Sequence, residues 1–108
     1  MMSNTRIEQL KEFLRQNPKD SFVLYALAIE HVNLNNDETA LEYFKQIISN
    51  DPDYAGTYYH LGKLYQRRGE NNLAEEIYRE GLKRTSGKDA HAHRELQEAL
   101  NALLYEND

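Results

Sequence analysis

The sequence lacks several features that would point to particular kinds of chemistry. Its 108 residues include no cysteine and no tryptophan, and only two prolines. Without cysteine, disulfides, thiolate metal sites and a cysteine nucleophile are excluded. No apolar run approaches the roughly 20 residues that a membrane-spanning helix needs, and the polar N-terminal stretch lacks the apolar core of a secretion signal. We therefore expect no membrane association and a cytoplasmic location.

Positively charged residues are also fewer than negatively charged ones. The formal net charge is -5 and the isoelectric point is about 5.3. Binding to nucleic acid by charge needs a basic surface, so we expect no nucleic-acid partner. The chain is 40% hydrophobic and 29% charged, a balance that is typical of a folded domain with its own core. One small domain is the expectation from length.

Apolar residues recur with helical spacing along the whole chain, and we find no segment that alternates like a strand. The first such stripe is Ile7, Leu10, Phe13 and Leu14. Five further stripes follow, and segments rich in Asn, Asp, Gly, Pro and Ser separate them. The pattern predicts an all-α protein of about six helices joined by short loops.

The middle of the chain superposes on itself after a shift of 34 residues. Large aromatic positions coincide, since Phe44 falls on Tyr78. Small positions coincide as well, since Ala28 falls on Gly62, and we expect Gly62 to let a neighbouring helix approach closely. Asn35 falls on Gly69, and these are the residue types that best tolerate a left-handed backbone after a helix. We therefore predict two structural repeats, each with a left-handed residue between its helices.

The repeated residues resemble the tetratricopeptide repeat family, whose pattern runs aromatic, Leu-Gly, Tyr, Ala, Phe and Pro. The second repeat carries the closer match, at Tyr58, Leu61, Gly62, Tyr65, Gly69, Ala74 and Tyr78. The first is looser, at Leu24, Leu27, Ala28, His31, Asn35, Ala40, Phe44 and Pro52. There His31 replaces the usual Tyr, and we expect it to lie in the core; Ile47 replaces a usually small residue. The resemblance implies a right-handed superhelical stack of antiparallel helix pairs.

In that frame the chain divides into four parts of a single domain over residues 1–108. They are an N-terminal half-repeat helix (4–18), repeat one (21–54), repeat two (55–88) and a capping helix (89–105). Arg6 takes the position that Ala40 and Ala74 hold in the full repeats. Because the half-repeat has no first helix, we expect the long Arg6 side chain to cost nothing there.

The resemblance also implies a function. In this family the first helices of successive repeats line a groove that binds a partner peptide or protein. We therefore expect a non-enzymatic scaffold or adaptor, with no cofactor, no metal and no catalytic residue. The predicted partner-binding positions are Phe22, Tyr25, Ile29, Val32, Tyr59, His60, Lys63, Arg67, His93 and Arg94.

Both halves of this predicted groove have two interpretations. Phe22, Tyr25, Ile29 and Val32 form an apolar stripe, which either receives a partner or is covered by neighbouring helices or a second copy of the chain. The second copy would make the protein a homodimer. The second half of the groove has five basic residues. They either hold an acidic side chain or C-terminal carboxylate or form a solvated face; they are His60, Lys63, Arg67, His93 and Arg94. Chaperone-binding members of this family hold C-terminal tails with a set of side chains called the carboxylate clamp. Only Arg94 of this chain matches that set, so we predict no clamp of that kind.

An enzyme or small-molecule binder is the alternative from another class. It requires His60, His93 and Arg94 to converge on one pocket. His91 and His93 are two residues apart, so a helix points their rings to different sides, which disfavours a shared metal. The paired carboxylates Glu75 and Glu76 are expected to be solvated, as exposed helical carboxylates usually are.

Overall fold

The structure is a computed structural model that describes the backbone of residues 2–106 and the side chains of residues 5–106. Within that range the chain forms six α-helices and no strand, so the predicted all-α class is confirmed. The helices are α1 (Met2–Gln16), α2 (Ser21–Asn33), α3 (Asp37–Asn50), α4 (Gly56–Arg67), α5 (Asn71–Thr85) and α6 (Ala90–Glu106). The first helix ends two residues before the predicted limit at residue 18, because Asn17 and Pro18 form a turn.

The chain divides into two compact units between Tyr54 and Ala55. The first unit contains α1, α2 and α3, and the second contains α4, α5 and α6. Within each unit, helices that follow one another along the chain pack together, as short connections favour. None of the described helices combines the length and the apolar character that crossing a bilayer requires.

In the first unit, α1 packs on α2 through Ile7 and Leu10, which meet Val23 and Leu27. Leu14 is partly buried against the same cluster. Phe13, which we expected in this stripe, is 59% exposed, so that part of the prediction is wrong. A single neighbouring helix buries only a narrow stripe of α1, and Phe13 lies beyond its edge.

Arg6, which we expected to cost nothing in a half-repeat, has a partner that the repeat register does not indicate. Its Nε lies 2.6 Å from a carboxylate oxygen of Glu30 on α2. Arg6 is therefore an ion-pair partner between α1 and α2. Sequence reasoning missed it because Glu30 lies outside the pattern of packing residues that the repeat register identifies.

His31 is buried against α3, as predicted. Its ring stacks on Tyr43 at 5.8 Å between centroids, and its Nδ1 lies 3.2 Å from the side-chain nitrogen of Asn36. Burial lowers the pKa of His31, and the positive charge of Lys11 lowers it further. Since Asn36 can only donate to a ring nitrogen, the neutral ring accepts at Nδ1 and carries its proton on Nε2.

In the second unit, α4 and α5 meet at a close contact between Gly62 and Tyr78. A Cβ placed on Gly62 would lie 2.6 Å from Cδ1 of the tyrosine ring, so only glycine fits there. The predicted reason for Gly62, close approach of a neighbouring helix, is therefore confirmed. Gly81 on α5 likewise allows close packing, against α4 and α6. A Cβ placed on it would lie 2.6 Å from Cβ of Tyr58 and 2.8 Å from Cδ1 of Leu96.

The turns between the helices follow the predicted chemistry. Asn35 has φ of 62° and Gly69 has φ of 78°, so the left-handed positions predicted from the repeat are confirmed. Gly87 has φ of 73° in the turn where the family pattern would place a proline. In the loops before α2 and α6, Asp20 and Asp89 accept from backbone amides of the first turn, at Val23 and Ala92.

Candidate functional site

The predicted apolar stripe of the first unit is only partly open. Phe22 is 66% exposed at the start of α2. Tyr25, Ile29 and Val32 are half-buried. The ring of Tyr25 lies 5.5 Å from the ring of Tyr54, which comes from the segment after α3. Repeat periodicity did not identify Tyr54 because it lies outside the helices, although its position just before repeat two is a usable signal.

On α4 the predicted residues Tyr59, His60 and Lys63 form one connected group. The rings of Tyr59 and His60 meet edge to face at 5.3 Å. Lys63 Nζ lies 5.6 Å from the centroid of the Tyr59 ring, within the range of a cation–π contact. Arg67, the fourth predicted residue of this helix, is exposed in its last turn.

His60 is half-buried, which affects its charge. Burial lowers its pKa because a charged imidazolium loses solvation, and the carboxylate of Glu95 opposes that shift. At neutral pH, His60 is therefore a neutral, polar part of the surface and not a fixed positive charge. His60 therefore adds less positive charge to the predicted basic cluster than the sequence suggested.

A cavity of about 250 Å³ lies between α4 and α6. Tyr59 and Lys63 form its α4 side, and Glu95 and Glu98 belong to its α6 side. Two small residues of α6, Ala99 and Ala102, complete the lining. The lining therefore combines an aromatic ring, an ammonium group and two carboxylates with two alanines.

A second cavity, of about 410 Å³, lies where the turn after α5 leads into α6. It is lined by Gly87, Lys88, Ala90, His93 and Arg94. His93 is held by Thr85 of α5, whose Oγ1 lies 3.0 Å from the ring Nδ1. The two predicted residues His93 and Arg94 therefore lie together, with Lys88 added.

The convergence of His60, His93 and Arg94 on one pocket stays a prediction. His93 and Arg94 share the second cavity, and His60 lines neither cavity. His60 lies against Tyr59, and His93 contacts Thr85 of α5. Glu75, one of the two paired carboxylates considered from the sequence, forms an ion pair with Arg79. In the described part of the chain no three His, Asp or Glu residues are grouped as metal ligands.

Sequence reasoning missed Lys88, Glu95 and Glu98 as parts of these cavities. Lys88 lies in a turn, where helical periodicity assigns no direction to a side chain. The predicted partner-binding positions do not include Glu95 and Glu98, which lie on the predicted capping helix. The two residues are three apart on one helix, and that spacing is the signal that could have placed them on a common face.

The fold and these concave surfaces define a class of helical-repeat modules. The tetratricopeptide repeat family matches residues 35–100, and the chain belongs to that family. A tetratricopeptide repeat domain protein from Salinibacter ruber, solved by crystallography, is 40% identical, with a TM-score of 0.73; the match covers 78% of this chain and 94% of that one. A comparison with curated proteins finds no match.

Two further solved structures share the fold at lower identity. PcrH, solved with the chaperone binding region of PopD, has a TM-score of 0.88 at 15% identity, covering 99% of this chain and 82% of that one. The type III secretion translocator chaperone SycD of Yersinia enterocolitica has a TM-score of 0.88 at 12% identity, covering 98% and 74%. At such identities the likeness concerns the fold alone.

Proposed function

We propose that this chain is a non-enzymatic interaction module that binds a segment of a partner protein. The observation that carries the proposal is the cavity between α4 and α6, where Tyr59 and Lys63 face Glu95 and Glu98. Aromatic side chains supply rigid contact area at low entropic cost, and the flanking charges supply orientation. Tyr59, His60, Lys63 and Arg67 are the proposed contact residues of α4, with His93 and Arg94 on α6.

The α2 surface of the first unit is proposed as a separate apolar contact area. Phe22 is its exposed end, and Tyr25, Ile29 and Val32 offer half-buried edges. An exposed phenylalanine beside partly covered apolar groups is typical of a contact site. PcrH, which shares the fold, was solved bound to a region of another protein, and this precedent supports a polypeptide ligand.

The side-chain chemistry supports binding over catalysis. The histidines have structural neighbours: His31 stacks on Tyr43, and His93 bonds to Thr85. Catalysis by general acid and base needs such groups to reach one reacting centre. The described cavities instead combine one aromatic ring with dispersed charges.

The test is capture of partners by the tagged wild-type chain and by two variants, Tyr59→Ala and Tyr105→Ala. Tyr105 is 83% exposed on α6 and outside both cavities, so it is a matched aromatic control. A partner identified by mass spectrometry is then purified and titrated calorimetrically. We expect Tyr59→Ala to weaken binding at least about tenfold, as interface aromatics often do, and Tyr105→Ala to have no effect. Equal binding by all three chains would refute the site.

Self-association is the second candidate, favoured by two exposed phenylalanines in the first unit. Phe13 and Phe22 are 59% and 66% exposed, and a second copy of the chain would remove them from water. Sedimentation equilibrium at increasing concentration separates the two candidates. A dimer weakened by Phe13→Ser or Phe22→Ser would support self-association, and a strict monomer at high micromolar concentration would exclude it.

A further inference from the structure

A cavity of about 470 Å³ lies in the first unit, between α1 and α3. Both helices pack on α2, but no described residue of α2 lines the cavity. Its lining comes from the last turns of α1, from the turn that follows and from α3; the residues are Lys11, Leu14, Arg15, Pro18 and Tyr43. This surface is therefore distinct from the α2 stripe that the repeat register assigns to partner binding.

The apolar part of the cavity is held in place by the core. Leu14 and Tyr43 are half-buried, and both pack against the buried cluster that contains Leu10. The Tyr43 ring also stacks on His31, at 5.8 Å between centroids. Pro18 adds a rigid ring in the turn after α1. A concave surface of this size with fixed apolar groups can receive a large apolar side chain.

The polar side chains of the cavity can all donate hydrogen bonds, and none of them is a carboxylate. Lys11 and Arg15 are exposed and lie one turn apart on α1. Arg15 pairs with Glu12, whereas Lys11 has no ion-pair partner within the described residues. Burial raises the pKa of Tyr43, and the charge of Glu42 raises it further, so the tyrosine hydroxyl keeps its proton. The lining therefore complements negatively charged groups.

The apolar groups and the donors select a ligand only in combination. Exposed ion pairs contribute little on their own, so a carboxylate alone would gain little from Lys11 and Arg15. An apolar side chain gains from removal of its surface from water, but that contact is not directional. A segment that carries both kinds of group obtains affinity from Leu14 and Tyr43 and orientation from the two basic residues.

We propose that this cavity is a second docking site, for an acidic segment of a partner protein. A large apolar side chain of that segment enters against Leu14 and Tyr43, and flanking carboxylates reach Lys11 and Arg15. The site goes beyond the proposed function, because it shares no residue with the cavity between α4 and α6. With both sites the chain can join two partner segments, as an adaptor does.

The test uses nitrogen-15 amide spectra of the full chain and four short peptides with both ends blocked. The peptides are Glu-Glu-Phe-Glu-Glu, Glu-Glu-Ala-Glu-Glu, Gln-Gln-Phe-Gln-Gln and Lys-Lys-Phe-Lys-Lys. We expect the first peptide to shift the amides of Lys11, Leu14, Arg15 and Tyr43. It should bind at least about fivefold more tightly than each of the others, because only it carries both the apolar side chain and the carboxylates.

A double variant, Lys11→Gln with Arg15→Gln, tests the basic residues without disturbing the core, since both side chains are exposed. It should bind the first peptide at least about threefold more weakly. The matched control is Lys83→Gln with Arg79→Gln on α5. These residues are also exposed and one turn apart, and Arg79 likewise pairs within its own helix, with Glu75. The control should bind the peptide as the wild type does.

Four results would overturn the site: equal weakening by both double variants, equal binding of the first two peptides, shifts confined to other helices, or no shift at about 10 mM peptide. The same amide shifts on concentrating the protein alone would identify a second copy as the occupant and overturn it as well. Tyr59→Ala should leave binding of the peptide unchanged. Failure of this site and failure of the proposed function are therefore distinguishable, since only the latter depends on Tyr59.

Discussion

Gly62 lies directly against the ring of Tyr78. A Cβ on Gly62 would lie 2.6 Å from Cδ1 and 2.7 Å from Cζ of that ring, and the tyrosine hydroxyl donates to Oε1 of Gln66. The equivalent residues of repeat one are Ala28, Phe44 and Val32. In the repeat register, a ring without a hydroxyl is therefore matched with alanine, and a ring held by a hydrogen bond is matched with glycine. The two repeats represent two ways of packing the same pair of positions.

Gly62→Ala should destabilise the protein despite the better helix propensity of alanine. Forcing a methyl group against a fixed ring costs about 1–3 kcal/mol, and the gain in helix propensity returns about 0.5–1 kcal/mol. We expect a net loss of about 1–2 kcal/mol in urea denaturation. Tyr78→Phe frees the ring from Gln66. It should therefore lower the free energy of unfolding less in the Gly62→Ala background than in the wild type. Strictly additive effects in this double-mutant cycle would contradict the coupling.

The Arg6–Glu30 ion pair should contribute modestly to the attachment of α1. Arg6 is 58% exposed and Glu30 19% exposed, so the pair lies at the edge of the helix contact. Pairs of this kind contribute about 0–1 kcal/mol and weaken with salt. Arg6→Ala should therefore lower the midpoint of unfolding slightly, and the difference should shrink in 1 M salt. A control at exposed Arg15, paired with Glu12 within α1, should have a smaller effect on unit one.

His31 should make the first unit sensitive to mild acid. Its folded pKa is lowered by burial, so the unfolded chain takes up a proton at higher pH than the folded chain. The unfolded state then binds more protons below its own pKa of about 6.5, and stability falls as pH drops through that value. Tyr65 occupies the equivalent position of repeat two. We expect His31→Tyr to flatten the pH dependence of the unfolding free energy between pH 7.5 and 5. Parallel curves for both chains would exclude His31 as the cause.

Neutral His93 should carry its proton on Nδ1, the less common form in solution. The hydrogen bond to Thr85 imposes it, since the threonine proton is directed to Gly81. Long-range nitrogen–proton correlation spectra distinguish the two forms directly. Thr85→Val keeps the shape and removes the acceptor, so His93 should shift towards the Nε2–H form while the helices remain intact. An unchanged spectrum in Thr85→Val would show that Thr85 does not orient the ring.

More of the repeats than of the candidate site could be predicted from the sequence. Ala28 with Phe44, and Gly62 with Tyr78, could be identified because packing between paired helices needs small residues opposite large ones at fixed spacing. The left-handed turns at Asn35 and Gly69 followed from backbone sterics alone. The site depended on loop residues and on side-chain partners. Lys88 and Tyr54 belong to connections, for which periodicity makes no statement.

The sequence by itself determined the helices, the repeat and the reason for Gly62, because each depends on spacing along one chain or on a residue type that only one conformation accepts. The tertiary structure decided which polar groups meet. It paired Arg6 with Glu30 and bound His93 to Thr85. Those contacts join residues from different helices and depend on ångström-scale side-chain geometry. A one-dimensional pattern of large, small and polar residues leaves that geometry open.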